Sequence, residues 1–196
     1  YKLQALKLNR TFIEFNSEDA LIHLKDVIRH QSQPFTGLFT VAYSLLYQIS
    51  RLNGNIVHLD GNGLDELFLG YDKYISPNKF SGNQFISGEI DREYNFFHSS
   101  LISTPSSLTI NEILSKFPQE IHFSRKLALD DLFYLKIPRV LRFNDHVSMQ
   151  HSCELRVPFL DHRLLKFSLG LPQKFLIDSN KRLGKVVIRK LLSKQT

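Results

Sequence analysis

The sequence has a single cysteine among its 196 residues and no apolar run approaching the length of a membrane-spanning helix. One thiol, Cys153, cannot form an internal disulfide, so the class of small secreted proteins stapled by disulfides is excluded. The lack of about 20 consecutive apolar residues leaves no candidate transmembrane helix, and no signal peptide is visible. These absences predict a soluble protein of a reducing compartment, and the expected location is the cytoplasm.

The sequence also lacks internal repeats and low-complexity tracts. Its hydrophobic content of 42%, charged content of 22% and net charge of +6 are those of a folded protein. A chain of this length can bury a substantial core, as one domain or as part of a larger one. Because it begins with Tyr1 rather than Met, we expect it to be cut from a longer polypeptide.

The first third of the sequence alternates between strand and helix patterns. Residues 11–15 alternate with period two, which predicts a short strand, and helices are predicted at 17–30 and 37–52. The apolar run at 55–59, bounded by turn residues, predicts a buried parallel strand, so the fold class is α/β. The positions predicted to be apolar helix faces are Leu21, Leu24, Val27 and Ile28 in the first helix and Phe39, Tyr43, Leu46, Tyr47 and Ile49 in the second.

The pattern changes twice beyond residue 74. Residues 75–119 contain a stretch rich in Ser, Asn, Gly and Pro, with a modest helical pattern at 89–97, and we interpret them as a loop-rich excursion. From residue 120 onward the periodicity is helical almost throughout, so the C-terminal half is predicted to be all α. The predicted helices cover residues 121–135, 139–152, 161–169 and 181–192.

A glycine-containing loop directly after the predicted strand is the first candidate for chemistry. Gly61 and Gly63 allow the backbone to approach a ligand, and the free N–H groups of the following helix can meet an anion. Asp65 in that helix would repel phosphates unless a divalent cation such as Mg²⁺ lay between them. The alternative is an ordinary turn in which Asn62 caps the helix, and a lone G-x-G motif is too weak to exclude it.

A second segment, residues 141–161, interleaves charged and apolar side chains. The charged types present are usually paired when buried, which favours a structural polar network. The histidines lack the spacing and acidic partners of a zinc site, and Ser148 lacks the surroundings of a hydrolase nucleophile. The charged residues concerned are Arg142, Asp145, Glu154 and Arg156.

A third segment, residues 181–190, carries clustered cations. Arg182, Lys185 and Arg189 fall on one side of the predicted helix, where like charges at neighbouring turns repel one another. A bound anion would relieve that repulsion. The alternative is a solvated basic face.

Together the three segments resemble signatures of the glutamine-hydrolysing asparagine synthetase family, in its synthetase domain. Residues 61–71, GNGLDELFLGY, resemble the family's G-(E/Q)-G-x-D-E-L-x-x-G-Y signature. Residues 141–161 resemble its L-R-x-x-D-R-x-S-M-x-x-S-x-E-x-R-V-P-F-L-D signature, and residues 185–189 resemble its K-x-x-(L/I)-R element. Residues 15–34, with the run SEDAL, match a further family segment, so the resemblance covers nearly the whole chain.

The resemblance implies a partial parallel sheet of the adenine-nucleotide alpha-hydrolase-like type, with a helix-dominated C-terminal half. Residues 1–196 would be the C-terminal portion of the synthetase domain. Within it, 1–74 would be the α/β part, 75–119 the loop-rich excursion and 120–196 the helical part.

The resemblance also implies an activity, that of a carbon–nitrogen ligase. Family members use ATP and Mg²⁺ to convert aspartate to a β-aspartyl adenylate, which ammonia from an N-terminal glutaminase domain attacks to give asparagine and AMP. By position, Asp60, Gly61 and Gly63 would contact the nucleotide, Asp65 would hold Mg²⁺, and Lys185 would neutralise charge developing on the phosphates. The residues expected to shape the substrate pocket or support the glycine loop are Arg142, Asp145, Ser148, Glu154, Arg156 and Asp161.

Departures from the family pattern leave the acceptor open. The S-G-G-x-D-S pyrophosphate loop does not occur, so we expect that loop and the glutaminase domain to precede Tyr1, and we expect the isolated chain to be inactive. Asn62 stands where many members have a Glu thought to assist the incoming amine, and an amide cannot accept a proton at neutral pH. Some relatives often associated with surface-polysaccharide synthesis carry Gln at that catalytic position. His146 also replaces the family's Arg.

Two alternative classes remain beside amidation of aspartate. One is ATP-dependent amide formation on another carboxylate, such as a peptide, a sugar acid or a secondary metabolite. The other is a non-catalytic basic helical module, which the charge of +6 and the C-terminal cations suggest. Few aromatic residues interleave those cations, so we expect no nucleic-acid partner. No membrane partner is expected either, and a homodimer is compatible with the family.

Overall fold

A computed structural model of the chain describes residues 11–32, 34–35, 37–75, 118 and 120–194. Over these residues the protein is a mixed α/β structure, mostly helical, with a small parallel sheet. In chain order the elements are α1 (Ser17–Gln31), α2 (Leu38–Leu52), β1 (Val57–Leu59), α3 (Leu64–Leu67), α4 (Asp72–Ile75), α5 (Phe123–Phe133), α6 (Lys136–Gln150), β2 (Glu154–Arg156), a 3₁₀ turn (Pro158–Leu160), α7 (His162–Gly170), a 3₁₀ turn (Gln173–Phe175) and α8 (Val186–Ser193).

The chain divides into two compact units. The first comprises Tyr1–Asn62, Arg139–Asp161 and Leu192–Thr196, and the second comprises Gly63–Pro138 and His162–Leu191. Each unit has its own buried cluster of apolar side chains. No helix of the described residues is both long enough and apolar enough to cross a bilayer.

Helix α1 shows why the local sequence predicts its ends correctly. The Asn16 side chain accepts hydrogen bonds from the N–H groups of Glu18 and Asp19, and the Asp19 side chain accepts one from the N–H of Asn16. This reciprocal capping box satisfies N–H groups that a helix start leaves without partners. The helix ends where Ser32 adopts a left-handed conformation with φ of 54°. The predicted helix at 17–30 is therefore confirmed.

The buried faces of α1 and α2 agree only in part with the predicted ones: Val27 and Tyr47 are buried as predicted, whereas other predicted positions are exposed. Leu21 and Ile28 of α1 are 69% and 52% exposed, and Phe39 of α2 is 81% exposed. The core of the first unit is built around Val27, Val41, Tyr47, Val147 and Cys153, of which Val27 and Tyr47 are predicted positions. Both helices carry apolar residues on more than one side, so the periodicity does not decide which side faces α6.

Polar side chains account for part of the difference. The buried side of α2 includes Ser44, whose hydroxyl lies 2.9 Å from His151 Nε2 and donates to Gln150 Oε1 at 3.3 Å. In α1, the buried Gln31 donates from its side-chain amide to the carbonyl of Phe143 at 3.0 Å. Because buried polar groups require partners, these bonds fix the faces that meet.

The sheet consists of β1 and β2, which pair in parallel with Val57 opposite Glu154 and Leu59 opposite Arg156. Strand β1 confirms a parallel strand within the predicted segment 55–59, but the predicted burial is wrong, because Val57 is 46% and Leu59 75% exposed. The strand predicted at 11–15 is wrong, because those residues have no regular structure. The prediction of an all-α C-terminal half is also wrong, because β2 lies within that half. With three residues, β2 is too short to show a period-two pattern, and its conformation depends on pairing with β1, which is distant in sequence.

The second unit packs around residues that follow the glycine loop. Its core consists of Leu67, Phe68, Leu69, Tyr74, Leu127, Ala128, Leu176 and Ile177. Arg125 of α5 donates to the carbonyls of Ser168, Leu169 and Leu171 at the end of α7. A guanidinium at this position satisfies carbonyls that a helix end leaves open and opposes the negative end of the helix dipole.

The other predicted helices can be compared with the structure where it describes them. Helices α5, α6 and α7 confirm those predicted at 121–135, 139–152 and 161–169, with ends shifted by a few residues. Helix α8 begins at Val186 rather than at 181, because a turn with Asp178 and Leu183 paired in an isolated bridge precedes it. The helix predicted at 89–97 and nearly all of the segment 75–119 lie outside the described residues.

We predict that the two sides of α2 contribute unequally to stability. Val41→Ala is expected to lower the free energy of unfolding of the 196-residue chain by about 2 kcal/mol, because Val41 is fully buried. Phe39→Ala on the exposed side is expected to cost less than about 0.5 kcal/mol. Urea unfolding of both variants checks the burial pattern, and a larger cost at Phe39 would contradict it.

We predict that His151 makes the first unit sensitive to acid. Burial, with smaller contributions from His23 and His30, lowers the pKa of His151. The unfolded chain takes up this proton near the ordinary pKa of about 6.5, whereas the folded chain resists it, so stability present above that pH is lost as the pH falls through it. His151→Gln should reduce the loss of unfolding free energy between about pH 7.5 and about pH 5.5. His162→Gln, in the second unit, is the control. Equal pH dependence in wild type and His151→Gln would show the prediction to be wrong.

Candidate functional site

In the first unit, the end of β1 holds a hydrogen-bonded cluster around Asp60. Asn62 donates twice to this carboxylate, from its N–H at 3.1 Å and from its side-chain amide at 2.6 Å. Asn144 of α6 donates its side-chain amide to Asp60 Oδ2 at 3.1 Å. The N–H of Asp60 also extends the sheet by donating to the carbonyl of Arg156. The Asp60 carboxylate is thus held by donors on both sides.

The two glycines of the loop, Gly61 and Gly63, differ in whether the local structure requires a glycine. Gly63 directly precedes α3 and has a φ of 93°. Residues other than glycine rarely adopt this left-handed conformation. A side chain at Gly61 would meet no atom within 4 Å. The packing of the chain therefore does not require glycine at Gly61, and the space beside it is open.

In the second unit, Asp65 and Lys185 form an ion pair. Asp65 Oδ1 and Lys185 Nζ are 2.7 Å apart, and their side chains are 25% and 23% exposed. Asp65 lies in the first turn of α3, while Lys185 immediately precedes α8. The pair is shielded enough for its charges to interact strongly, and it is open enough for a ligand to reach.

The pair lies where two segments of backbone cross. The N–H of Lys185 donates to the carbonyl of Phe68 at 3.0 Å, and the N–H of Gly70 donates to the carbonyl of Asp65 at 2.8 Å. Leu69 and Lys185 both adopt left-handed conformations, with φ of 54° and 57°. Such conformations are costly for residues other than glycine and persist only where surrounding structure enforces them.

A buried charged group lies beside the pair. Glu66 is 4% exposed, and its Oε1 is 3.5 Å from Lys136 Nζ, which also lies 3.5 Å from the centre of the Tyr71 ring. Burial raises the pKa of Glu66 and lowers that of Lys136, and each charge partly offsets the shift of the other. Within this unit, the ion pair joins Lys136 to α3 and the cation–π contact joins Lys136 to Tyr71.

Asp131 of α5 forms a second buried contact with α4. The Tyr74 hydroxyl donates to Asp131, and Lys73 Nζ lies 2.5 Å from the same carboxylate. Burial and the charge of Asp131 raise the pKa of Tyr74 well above its ordinary value. Tyr74 therefore remains a hydrogen-bond donor throughout the physiological pH range.

The candidate residues of segment 141–161 are dispersed rather than gathered into a buried network. The four charged side chains are exposed, so the interpretation as a buried polar network is wrong. Glu154 and Arg156 form an exposed ion pair at 2.8 Å, while the fully buried Ser148 donates to the carbonyl of Asp145 at 3.0 Å. Asp161 follows the 3₁₀ turn and is half-buried. Arg142 lies against the ring of Phe143.

The proposed stack of cations in residues 181–190 does not form as one helix face. Arg182 and Lys185 lie before α8 begins, and both have positive φ. Lys185 pairs with Asp65, while Arg189 donates from Nε to the carbonyl of Gly184 at 3.0 Å. Lys185 and Arg189 therefore already have protein partners, which weakens the case for a general basic binding face.

Asp65 and Lys185 suit a phosphate ligand that carries a divalent cation. Among the described residues no cluster of three or more His, Cys, Asp or Glu side chains could hold a metal by itself. Mg²⁺ is commonly bound through one or two carboxylates together with substrate phosphates, and Asp65 can supply such a carboxylate. Lys185 can supply the cation that phosphate oxygens require.

Sequence reasoning missed several residues that contact the candidates. Asn144 lies next to Asp145 in the 141–161 segment, but nothing in the local pattern marks it as a partner of Asp60. Lys136 precedes a proline and reads as a surface charge, although it is half-buried. Gly70 lies within the 61–71 signature, and Gly184 directly precedes Lys185. Their positions near charged candidate residues could have indicated that a larger side chain would not fit there.

Comparison with known proteins agrees with the resemblance. A family model described as asparagine synthase matches residues 3–195. "Asparagine synthetase [glutamine-hydrolyzing] 3" of Bacillus subtilis (strain 168) is 26% identical over 193 residues, covering 90% of this chain and 30% of that protein. The asparagine synthetases of Gallus gallus and Homo sapiens are 27% and 31% identical over 85% and 55% of this chain.

The chain spans less than a third of the length of these relatives, namely 30%, 23% and 16%. The family match nevertheless includes the glycine loop, the Asp65 segment and the Lys185 segment. On this match, the chain belongs to the asparagine synthase family.

Proposed function

We propose that this chain is part of an enzyme that forms an amide from a carboxylate and a nitrogen nucleophile at the expense of ATP. A carboxylate oxygen attacks the α-phosphorus of ATP, pyrophosphate leaves, and the nitrogen then attacks the acyl carbon and displaces AMP. The observation that carries the proposal is the Asp65–Lys185 pair, 2.7 Å apart, within two segments that match the family.

The pair supports binding of a magnesium–pyrophosphate group. Without ligand, each charge neutralises the other. With it, Asp65 would hold Mg²⁺ and Lys185 would contact phosphate oxygens, so each side chain would exchange one counter-charge for another. Mg²⁺ supplies neutralisation of the phosphate charge when bound. Lys185 would contribute most as charge builds on the leaving pyrophosphate.

The glycine loop would hold the nucleotide. The open space beside Gly61 admits a ligand close to the backbone, and Gly63 turns the chain into α3. The Asp60 carboxylate, fixed by Asn62 and Asn144, would orient that loop. The parallel sheet would then be part of an adenine-nucleotide alpha-hydrolase-like sheet, completed by other parts of the protein.

Aspartate is the first candidate substrate, with ammonia delivered by a glutaminase domain, because the relatives are named as glutamine-hydrolysing asparagine synthetases. The exposed residues Arg142, Asp145, Glu154 and Arg156 would then contact the substrate or support the loop, together with Ser148 and Asp161. The proposal assigns the chain to the C-terminal portion of a synthetase domain that acts in the cytoplasm.

The state of Asn62 favours a second candidate, amide formation on a different carboxylate. Its side-chain amide donates to Asp60 at 2.6 Å, so position 62 holds the loop rather than accepting a proton. A substrate that carries its own proton-accepting group, able to take the proton that the nitrogen loses after it attacks the acyl carbon, would suit this site. A peptide, a sugar acid or a secondary metabolite would keep the adenylating chemistry unchanged.

The test of the proposal is carboxylate-dependent exchange of labelled pyrophosphate into ATP by the full-length protein. A panel should contain aspartate, glutamate, sugar acids and short peptides. Exchange that requires one of these acids and Mg²⁺ supports the proposal, and the preferred acid distinguishes the two candidates. Absence of exchange with every acid, in protein that is folded, would overturn it.

We predict that neutralising either member of the pair removes adenylation without unfolding the protein. Asp65→Asn and Lys185→Met should each lower the exchange rate about 10²- to 10³-fold, as expected when charge stabilisation is lost from a transition state. The KM for ATP should change far less in Lys185→Met. Lys166→Met, an exposed lysine of α7, is the matched control. Wild-type exchange in either pair variant would remove the assigned role.

We predict that a carboxylate at position 62 harms the loop. Asn62→Glu removes the donor to Asp60 and puts a second negative charge beside it, so ammonia-dependent amide formation should fall about tenfold or more. Asn62→Gln retains the donor and should keep most activity. Initial rates of amide formation by the full-length protein measure both. A gain in Asn62→Glu would instead indicate an asparagine synthetase slowed by the absence of a proton acceptor.

A further inference from the structure

Two glycines lie at the crossing that carries the Asp65–Lys185 pair. Gly70 follows the left-handed Leu69, and Gly184 precedes the left-handed Lys185. Neither glycine itself has a positive φ, so backbone conformation does not explain its presence. What surrounds each position explains it instead.

At Gly70, a side chain would occupy the volume of the ion pair. A methyl group there would overlap Asp65 Oδ1 and Lys185 Cε, and it would lie 2.8 Å from Asp65 Cγ. These atoms are the ends of side chains, which can move aside without displacing backbone. An alanine at this position would therefore push the two charged groups out of place while leaving the fold intact.

At Gly184, a side chain would instead strike backbone. A methyl group there would overlap the carbonyl oxygen of Leu69, and it would lie 3.0 Å from its carbonyl carbon and 3.1 Å from Gly70 Cα. These atoms cannot move unless the two segments separate. Separation would stretch the hydrogen bond from the Lys185 N–H to the Phe68 carbonyl, which is 3.0 Å long.

From these contacts we infer that Gly70 and Gly184 are positioning residues, which keep open the space in which Asp65 and Lys185 meet. Gly70 leaves room for the charged ends, and Gly184 lets the Lys185 segment approach the Leu69 segment closely enough for the lysine to reach. The inference rests on the proposed function for its catalytic meaning. The steric relation among these four residues stands independently of it.

The kinetic test compares Gly70→Ala with Gly170→Ala in the full-length protein. A methyl group at Gly170 meets nothing within 4 Å, which makes it a matched control. Gly70→Ala should lower the rate of pyrophosphate exchange about 10²-fold, as expected for a misplacement of catalytic groups by about 1 Å. The KM for the carboxylate should change little. Gly170→Ala should stay within about twofold of wild type.

A double-variant cycle separates positioning from general damage. Lys185→Ala removes the Cε atom that a methyl group at residue 70 would overlap, while the overlap with Asp65 Oδ1 persists. Adding Gly70→Ala to Lys185→Ala should therefore lower the remaining exchange rate by much less than the roughly 10²-fold expected in the wild-type background. If the two substitutions caused independent defects, their fold-reductions in exchange rate would multiply. Multiplication, or wild-type exchange in Gly70→Ala alone, would overturn the inference.

Thermal unfolding provides a readout that does not depend on activity. The fall in Tm caused by Gly70→Ala should largely disappear in an Asp65→Ala/Lys185→Ala background, which removes both overlapped side-chain ends. Gly184→Ala should lower Tm in that background and in wild type, because it strikes backbone. If wild-type protein shows no exchange, the proposed function fails, and this Tm cycle still decides the steric inference. A fall in Tm from Gly70→Ala that is the same in both backgrounds would refute it.

Discussion

The ion pair between Asp65 and Lys185 depends on a backbone crossing that is unfavourable by itself. Leu69 and Lys185 both adopt left-handed conformations, which cost roughly 1–2 kcal/mol each for residues with a side chain. Phe68 and Leu69 are each 1% exposed in the core of the second unit. Burying such side chains contributes about 1.5–3 kcal/mol each, which is enough to offset the strain of the crossing.

This comparison of magnitudes indicates that the pair itself need not be the source of stability. A partly buried ion pair gains Coulomb energy but loses hydration, and its net contribution is often small. The apolar core fixes the crossing, and the crossing in turn holds two opposite charges together at an accessible position. Such an arrangement can exchange both charges for those of a ligand that supplies charges of both signs, as the proposed magnesium–pyrophosphate group would.

The charged groups behind the pair serve a different purpose. Glu66, Lys136 and Asp131 are coupled to Tyr71, Tyr74 and Lys73 within the second unit. These contacts tie the short helix α4 to α5 and the short helix α3 to Lys136, all within the second unit. Since α3 and α4 have only four residues each, they lack the length for independent stability, and these side-chain contacts keep Asp65 oriented.

Local sequence signals predicted those parts of the fold that local physics determines. The Asn16 capping box marks the start of α1, and the apolar run before Asp60 marks β1. Strand β2 escaped prediction because three residues show no period and because its pairing partner, β1, is far away in the chain. Phe39 was assigned to the core because it lies on an apolar stripe, but hydrogen bonds from Ser44 turn the opposite side of α2 inward. The beginning of α8 was placed too early because no local signal anticipates the positive φ of Lys185.

The candidate site shows the same difference between what the local sequence predicts and what depends on distant parts of the chain. The family signatures predict functional roles for Asp65 and Lys185, whereas the local sequence alone is equally consistent with an ordinary helix start and a solvated basic face. Their direct contact, and the contact of Asn144 with Asp60, arise from chain segments distant in sequence. No periodicity contains that information. The glycines at 70 and 184 likewise acquire meaning only when the segments that they separate are seen to cross.

The most direct test of the central claim is a crystal structure of the full-length protein with Mg²⁺ and a non-hydrolysable ATP analogue. The quantity to measure is the distance between Asp65 Oδ1 and Lys185 Nζ, which is 2.7 Å in the structure described above. The account predicts that this distance exceeds about 4 Å, with Lys185 Nζ at hydrogen-bonding distance from a phosphate oxygen and Asp65 facing the metal. An unchanged pair, with the nucleotide bound elsewhere, would contradict it.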